Sequence, residues 1–152
     1  MIEPVARADV GELVALVRGV LAEFGLSFGE GAMTDVELLD LPGSYRDRGG
    51  ELWVARDAGG GLVGCAGLFP VAPATFELRK MYLLPGARGL GLGRALLNTA
   101  LAWARARRAQ RIVLDTTERM ARAIAFYEAS GFTRDDGEVR GARCSRGYVL
   151  RL

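Results

Sequence analysis

The apolar positions along this chain change period several times, and each change marks an element. Leu13, Leu16, Val17, Val20, Leu21 and Phe24 keep helical spacing behind Asp9, a candidate N-cap, and Gly25 closes the run. Ile2 to Ala6 reads as a short strand before that helix. Glu51 to Asp57 alternates as a strand, Ala58 to Gly61 turns, and Leu62 to Val71 is a continuous apolar strand, which together predict an antiparallel hairpin. A third apolar run, Leu78, Met81, Tyr82, Leu83 and Leu84, stops at Pro85-Gly86. From Leu92 the spacing becomes Leu92, Ala95, Leu96, Thr99, Ala100, Trp103, one face of a long helix. Arg111 to Thr116 returns as a strand, and a strand, crossover helix and strand make a right-handed parallel unit. A further helix, about Met120 to Ser130, ends at Gly131, a position suited to a left-handed cap. The tail after Phe132 predicts a strand, a glycine-containing turn around Gly137 to Gly141, and a last strand through Gly147 to Leu152. The stretch after Gly25 is least regular: early glycines, a short helical pattern capped by Thr34 or Asp35, then a Pro42-Gly43 break. The fold class is mixed α/β, in a single domain over residues 1–152.

Composition narrows the chemistry. Half of the residues are hydrophobic, enough for a sizeable core, and the net charge is only +2 with arginines scattered among acids. No basic stripe marks a nucleic-acid partner. No signal-peptide pattern opens the chain, and no apolar run reaches the roughly 18 to 20 residues that span a bilayer, so a cytoplasmic location away from membranes is the expectation. Cys65 and Cys144 lie far apart without a C-x-x-C partner and read as free thiols. Histidine is absent altogether. That removes Ser-His-Asp and Cys-His catalysis, imidazole acid-base chemistry and His-containing zinc sites, and no metal is expected.

The glycines between the third apolar run and the long helix carry the strongest signal. The first amides of a helix lack partners and carry the positive end of its dipole, so Gly89, Gly91 and Gly93 expose donors to an anion, with phosphate the obvious guest. A Walker loop needs Gly-Lys-Ser/Thr, and Gly93 is followed by Arg94-Ala95. A dinucleotide fingerprint needs a third glycine at Arg94 or Leu96, and neither is one. The run Arg88-Gly-Leu-Gly91-Leu-Gly93 instead resembles the R/Q-x-x-G-x-G/A pyrophosphate loop of the GNAT N-acetyltransferase superfamily. Upstream, ELRKMYLLPGA looks like that family's central strand. Downstream, Ile112-Val-Leu-Asp-Thr and Ala123-Ile-Ala-Phe-Tyr127-Glu-Ala-Ser-Gly131-Phe132 look like its next strand and helix end. The specific motifs cover about residues 50 to 133.

The resemblance implies a GNAT-type acyl-CoA N-acyltransferase fold: antiparallel N-terminal strands, a central splayed parallel pair and a C-terminal hairpin. It implies acetyl-CoA as acyl donor, held by Met81, Leu83, Arg88, Gly89, Leu90, Gly91, Leu92, Gly93, Arg94 and Phe126. By the same resemblance the Leu83 amide holds the pantetheine, the Met81 amide points at the thioester carbonyl, and Tyr127 protonates the departing thiolate. Glu77, eleven residues before Arg88, takes the place where one branch of the family carries its carboxylate base. Its alternative is a pairing with Arg79, and Glu118 is the reserve base. Many relatives carry asparagine three residues before the Ala-Ile pair of that helix, where this chain has Met120. Cys65 reads as packing, so direct transfer to an amine is expected rather than an acyl-enzyme. Phe24, Phe28 and Glu30 are the candidates for binding the acceptor, a small-molecule amine or amino-acid derivative rather than a protein amine. Asp35, Glu37 and Asp40 could add attraction for a cation, or form a solvated face. A non-catalytic acyl-CoA sensor is the competing reading, since it would need only the glycine loop. Exposed edges of the final hairpin leave room for a homodimer.

Overall fold

The computed structural model describes residues 1–152. In chain order its regular elements are β1 (Ile2–Pro4), α1 (Val10–Glu23), α2 (Gly43–Arg46), β2 (Glu51–Arg56), β3 (Leu62–Ala72), β4 (Thr75–Leu83), α3 (Leu92–Ala106), β5 (Arg111–Thr116), α4 (Ala121–Ala129), β6 (Thr133–Arg134) and β7 (Arg146–Arg151). The strands form one seven-stranded sheet in the order β1-β2-β3-β4-β5-β7-β6. Only β4 and β5 run parallel.

Both faces of the sheet are covered, and the period-2 alternation of β2 shows how. Leu52 and Val54 pack with Leu13, Leu16, Val17 and Leu21 of α1, together with Leu38, Leu41 and Tyr45. Trp53 and Ala55 face the other way, into a core with Leu96, Leu97 and Ala100 of α3 and Ile124 and Tyr127 of α4. The helix α1 buries the stripe its spacing predicts, whereas the buried stripe of α3 is Leu96, Leu97, Ala100, Leu101 and Ala104, rotated from the predicted one so that Ala95 is exposed.

The centre of the sheet opens. Thr75, Phe76 and Glu77 pair with Arg111, Ile112 and Val113, and the parallel ladder ends there. Beyond it, Leu114, Asp115 and Thr116 continue only with β7. On the other side of β4 the register against β3 shifts by an extra residue between Cys65 and Gly67, where Lys80 takes a positive φ of 56°. A bulge bends its strand and sharpens the twist, so the far half of β4 turns away from β5.

Three expectations need correction. Asp9 does not cap α1 with its side chain; its carboxylate accepts from the Ala6 amide at 2.9 Å and from Arg56 of β2. Residues Met33–Asp40 form a 3₁₀ helix, and neither Thr34 nor Asp35 caps it, because both side chains bind Lys80 instead. The final hairpin is lopsided: β6 has two residues, since Asp136–Glu138 turns early, and the chain re-enters the sheet as β7 between β5 and β6. Gly131, with φ 97°, does form the expected left-handed close of α4.

That re-entry is tight. A Cβ on Gly147 would run into the Asp135 carbonyl oxygen and the Glu138 backbone, which cannot move aside as a side-chain tip would. Gly147→Ala should therefore lower stability by about 2 kcal/mol or more, seen as a fall of roughly 4 to 8 °C in thermal unfolding.

Candidate active site

The loop between β4 and α3 is built to leave donors free. Pro85–Ala87 makes a 3₁₀ turn, Gly89 and Gly91 take φ of 77° and 84°, and Gly91 is the N-cap residue of α3. Those left-handed angles favour glycine and lay the backbone across the helix start. The amides of Gly89 through Arg94 have no acceptor within the chain. Arg88 does not join them. Its amide donates to the Pro85 carbonyl, its side chain donates to the Leu83 carbonyl at 2.9 and 3.1 Å, and it forms a two-pronged pair with Glu23 at 2.9 Å. Arg88 thus fastens the loop to the end of β4 and to α1.

Two other arginines supply the charge. Arg94 and Arg122 line the groove in front of the loop and enter no ion pair with the rest of the chain, although each stands in the first turn of its helix. A cation there opposes the helix dipole, which favours acids at a start. Neither α3 nor α4 has an acid in its first turn. That misplacement was readable in the sequence and is the signal that would have found Arg122.

The groove, about 390 Å³, runs from the loop past Leu83, Ala123 and Phe126 to the splay. On the far side lies a second chamber of about 510 Å³. Met81, Tyr82, Met120 and Tyr127 border both, so the opening between β4 and β5 connects them. The Leu84 amide donates to Val63 across the hairpin at 2.9 Å. Strand alternation therefore turns the Leu83 amide away from β3, toward the opening.

Charge is concentrated in the second chamber. Glu77 is 4% exposed and is bonded by Arg79 and, at 3.3 Å, by Arg140. Arg79 also reaches Glu37 at 3.2 Å and lies 4.1 Å over the Phe69 ring. Asp115 accepts from the amides of Arg140 and Gly141, both at 2.7 Å, and so pins the loop before β7. Asp35 is fully buried between Lys80 and Arg143, and the Gly29 amide donates to it at 2.8 Å. Burial opposes its charge, but the lysine, the arginine and the amide outweigh that and hold its carboxyl below the usual carboxylate range. Burial, with Cys144 nearby, pushes the Tyr127 phenol above its ordinary value. It therefore keeps its proton through the neutral range.

The Acetyltransferase (GNAT) family profile matches residues 8–132. The chain belongs to the GNAT acetyltransferase family. It is 36% identical over 132 residues to the uncharacterized N-acetyltransferase YjgM of Escherichia coli, covering 84% of this chain and 78% of that one. Its fold superposes on a GNAT-family acetyltransferase from Staphylococcus aureus with a TM-score of 0.92 at 23% identity, covering 100% and 98% of the two chains. The PaiA N-acetyltransferase of Thermoplasma acidophilum, solved with coenzyme A, superposes at 0.81 and 19% identity, covering 100% and 98%.

Within this acetyltransferase the expected residues divide. Met81, Leu83, Arg88, Gly89, Gly91, Gly93, Arg94 and Phe126 line the groove. Leu90 is exposed and Leu92 packs on the core, so each offers the groove only its amide. Tyr127 stands at the opening and Glu77 in the second chamber. None of the three acceptor candidates lines the second chamber. Phe24 lines the groove, because α1 ends on that side; Phe28 lies under Arg18, 4.6 Å from its guanidinium; Glu30 is exposed and contributes only its carbonyl, to Arg143. Glu118 points to solvent and pairs with Arg146 at 3.1 Å, away from both cavities. The buried Cys65 thiol bonds the Lys80 carbonyl and burial pushes it up to about 12; Cys144 is likewise raised to about 12, by burial and then by Asp115. Neither is set up as a nucleophile.

Asp35→Asn would leave Lys80 and Arg143 buried without their anion. It should cost about 3 to 5 kcal/mol in urea unfolding at neutral pH. Because the folded protein lowers the Asp35 value, the stabilisation is present above the ordinary carboxylate pKa of 3.8 and fades as pH falls through the lower folded one. The gap between wild type and variant should therefore narrow in acid.

Proposed function

We propose that this enzyme moves an acetyl group from acetyl-CoA directly to a primary amine of a small molecule or amino-acid derivative. The observation that carries this reading is the join: loop amides without acceptors at one end, a carboxylate in a charged chamber at the other, and an opening between them bordered by Met81 and Tyr127. The groove suits a diphosphate, since free main-chain donors, a helix start and two unpaired arginines all favour negative charge. The coenzyme A seen in the Thermoplasma PaiA structure supports the same assignment for the shared fold.

Acetyl-CoA supplies a thioester carbon open to attack by an uncharged amine. The chain's own groups do the rest. In this reading the Met81 amide stabilises charge on the thioester oxygen, a contact worth on the order of 2.7 to 4 kcal/mol of barrier. Glu77 takes up the proton the amine loses, relayed by water. Tyr127 gives its proton to sulfur as the carbon–sulfur bond breaks and the carbon–nitrogen bond forms. The phenol carries its proton across neutral pH. Two free cysteines fit a reducing, cytoplasmic setting, and no helix is long and apolar enough to cross a membrane.

Thiol release across an amine panel tests the reading. Glu77→Gln and Tyr127→Phe should each lower kcat by roughly 10²- to 10⁴-fold while calorimetric affinity for coenzyme A holds. Turnover unchanged in both variants would refute their roles. Arg94→Ala with Arg122→Ala should do the opposite, weakening coenzyme A binding about tenfold and flattening its salt dependence, with little change in kcat at saturating donor.

A further inference from the structure

The second chamber carries Arg79, Lys80, Arg140 and Arg143 against Glu77 and Asp115 on its wall. Three of its cations are satisfied from within. Lys80 is held by Asp35 and Thr34; Arg143 spans both oxygens of Asp35, at 2.9 and 3.2 Å, and reaches the carbonyls of Ser27 and Glu30; Arg79 sits among Glu77, Glu37 and the Phe69 ring. Arg140 is different. Its side chain is 42% exposed, and it touches Glu77 at 3.3 Å and Glu138 at 3.1 Å. Its main chain is fixed by the bond from its amide to Asp115. The guanidinium can swing while the loop stays in place.

This arrangement sets a condition on the ligand. Arg79 takes one oxygen of Glu77, and Arg140 takes the other. An ammonium that approaches Glu77 from the chamber competes with Arg140 for that oxygen, and Arg140, then held by Glu138 alone, has donors free for a second anion. A molecule with a carboxylate beside its amine meets both demands: the ammonium pairs with Glu77 and the carboxylate with Arg140. One ion pair of the protein is exchanged for two with the ligand, and the planar fork of an arginine matches a carboxylate well.

We propose that the acceptor is a zwitterionic α-amino acid, bound through its carboxylate by Arg140. The inference rests on the reading of this chamber as the acceptor site and narrows it. A polycationic amine offers the freed donors of Arg140 no anion and brings further positive charge beside Arg79, Lys80 and Arg143, so the same residues select against it. Leu26, Met33, Leu78 and Met120 on the lining favour an apolar side chain on the amino acid.

Calorimetry of the free enzyme with L-methionine and L-phenylalanine, their methyl esters, and the amines that lack the carboxylate (3-methylthiopropylamine and 2-phenylethylamine) tests this without acetyl-CoA. The two acids should bind roughly 10- to 100-fold more tightly than the esters and amines. Arg140→Gln should erase that preference while leaving ester binding in place, and Arg140→Lys should keep part of it. In acetyl-transfer assays the same loss should appear in KM for the acids. Failure of both acids to bind, equal binding of the amines, or an acid-to-ester ratio unchanged in Arg140→Gln overturns the proposal. Its failure is separable from that of the transfer reading: well-acetylated amines with no role for Arg140 defeat only this inference. Arg140-dependent binding of the acids with no acetylation of any amine defeats only the other.

Discussion

The parting of β4 from β5 is the constraint on which the rest of the molecule depends. Strands in the middle of a sheet normally satisfy each other's amides and carbonyls, and unpaired backbone in a protein interior is expensive. Here the parallel ladder stops after Glu77 and Val113, and each strand finds another arrangement. The far end of β5 turns to β7, while the far end of β4 leaves one edge for a guest and gives its Leu83 carbonyl to Arg88. The bulge at Lys80 makes the bend that separates them. The groove and the chamber meet at that separation, where Met81, Tyr82, Met120 and Tyr127 border both.

Charge secures this opening on one side. Lys80, at the bulge, is buried with Asp35, which also binds Arg143 from the loop before β7. One carboxylate thereby ties the 3₁₀ segment, the bulged strand and the C-terminal loop together around the chamber. A buried ion pair adds little net stability compared with an apolar core, yet breaking it is costly. Its contribution here is to fix geometry. On the other side the positive charges at the groove are left free, as an anion-binding surface requires. By the chamber the charges are paired, whereas Arg94 and Arg122 at the groove are not.

Several residues carry meaning in the sequence that the fold then redirects. Arg88 opens the glycine motif and invites a phosphate role, but it is the brace of that loop, bound to Leu83 and Glu23. Asp35 looks like attraction for a cationic substrate and is consumed by Lys80 and Arg143. Glu77 pairs with Arg79 and also lies on the chamber wall, so that pairing does not remove it from the cavity.

The sequence by itself determined the elements, their order, the parallel crossover and the glycine loop. These rest on local rules: apolar period, glycine at a helix close, turn residues and the spacing of a short motif, all of which act within a dozen or so residues. Family membership followed from the same motifs. Only the tertiary structure decided which cations stay free, which carboxylates are spent on partners, and which aromatic side chains reach a cavity. Arg140 meets Glu77 across 63 positions, and Arg143 meets Asp35 across 108. Contacts between residues that far apart depend on where the splay, the bulge and the short β6 carry the backbone, and no local pattern encodes that.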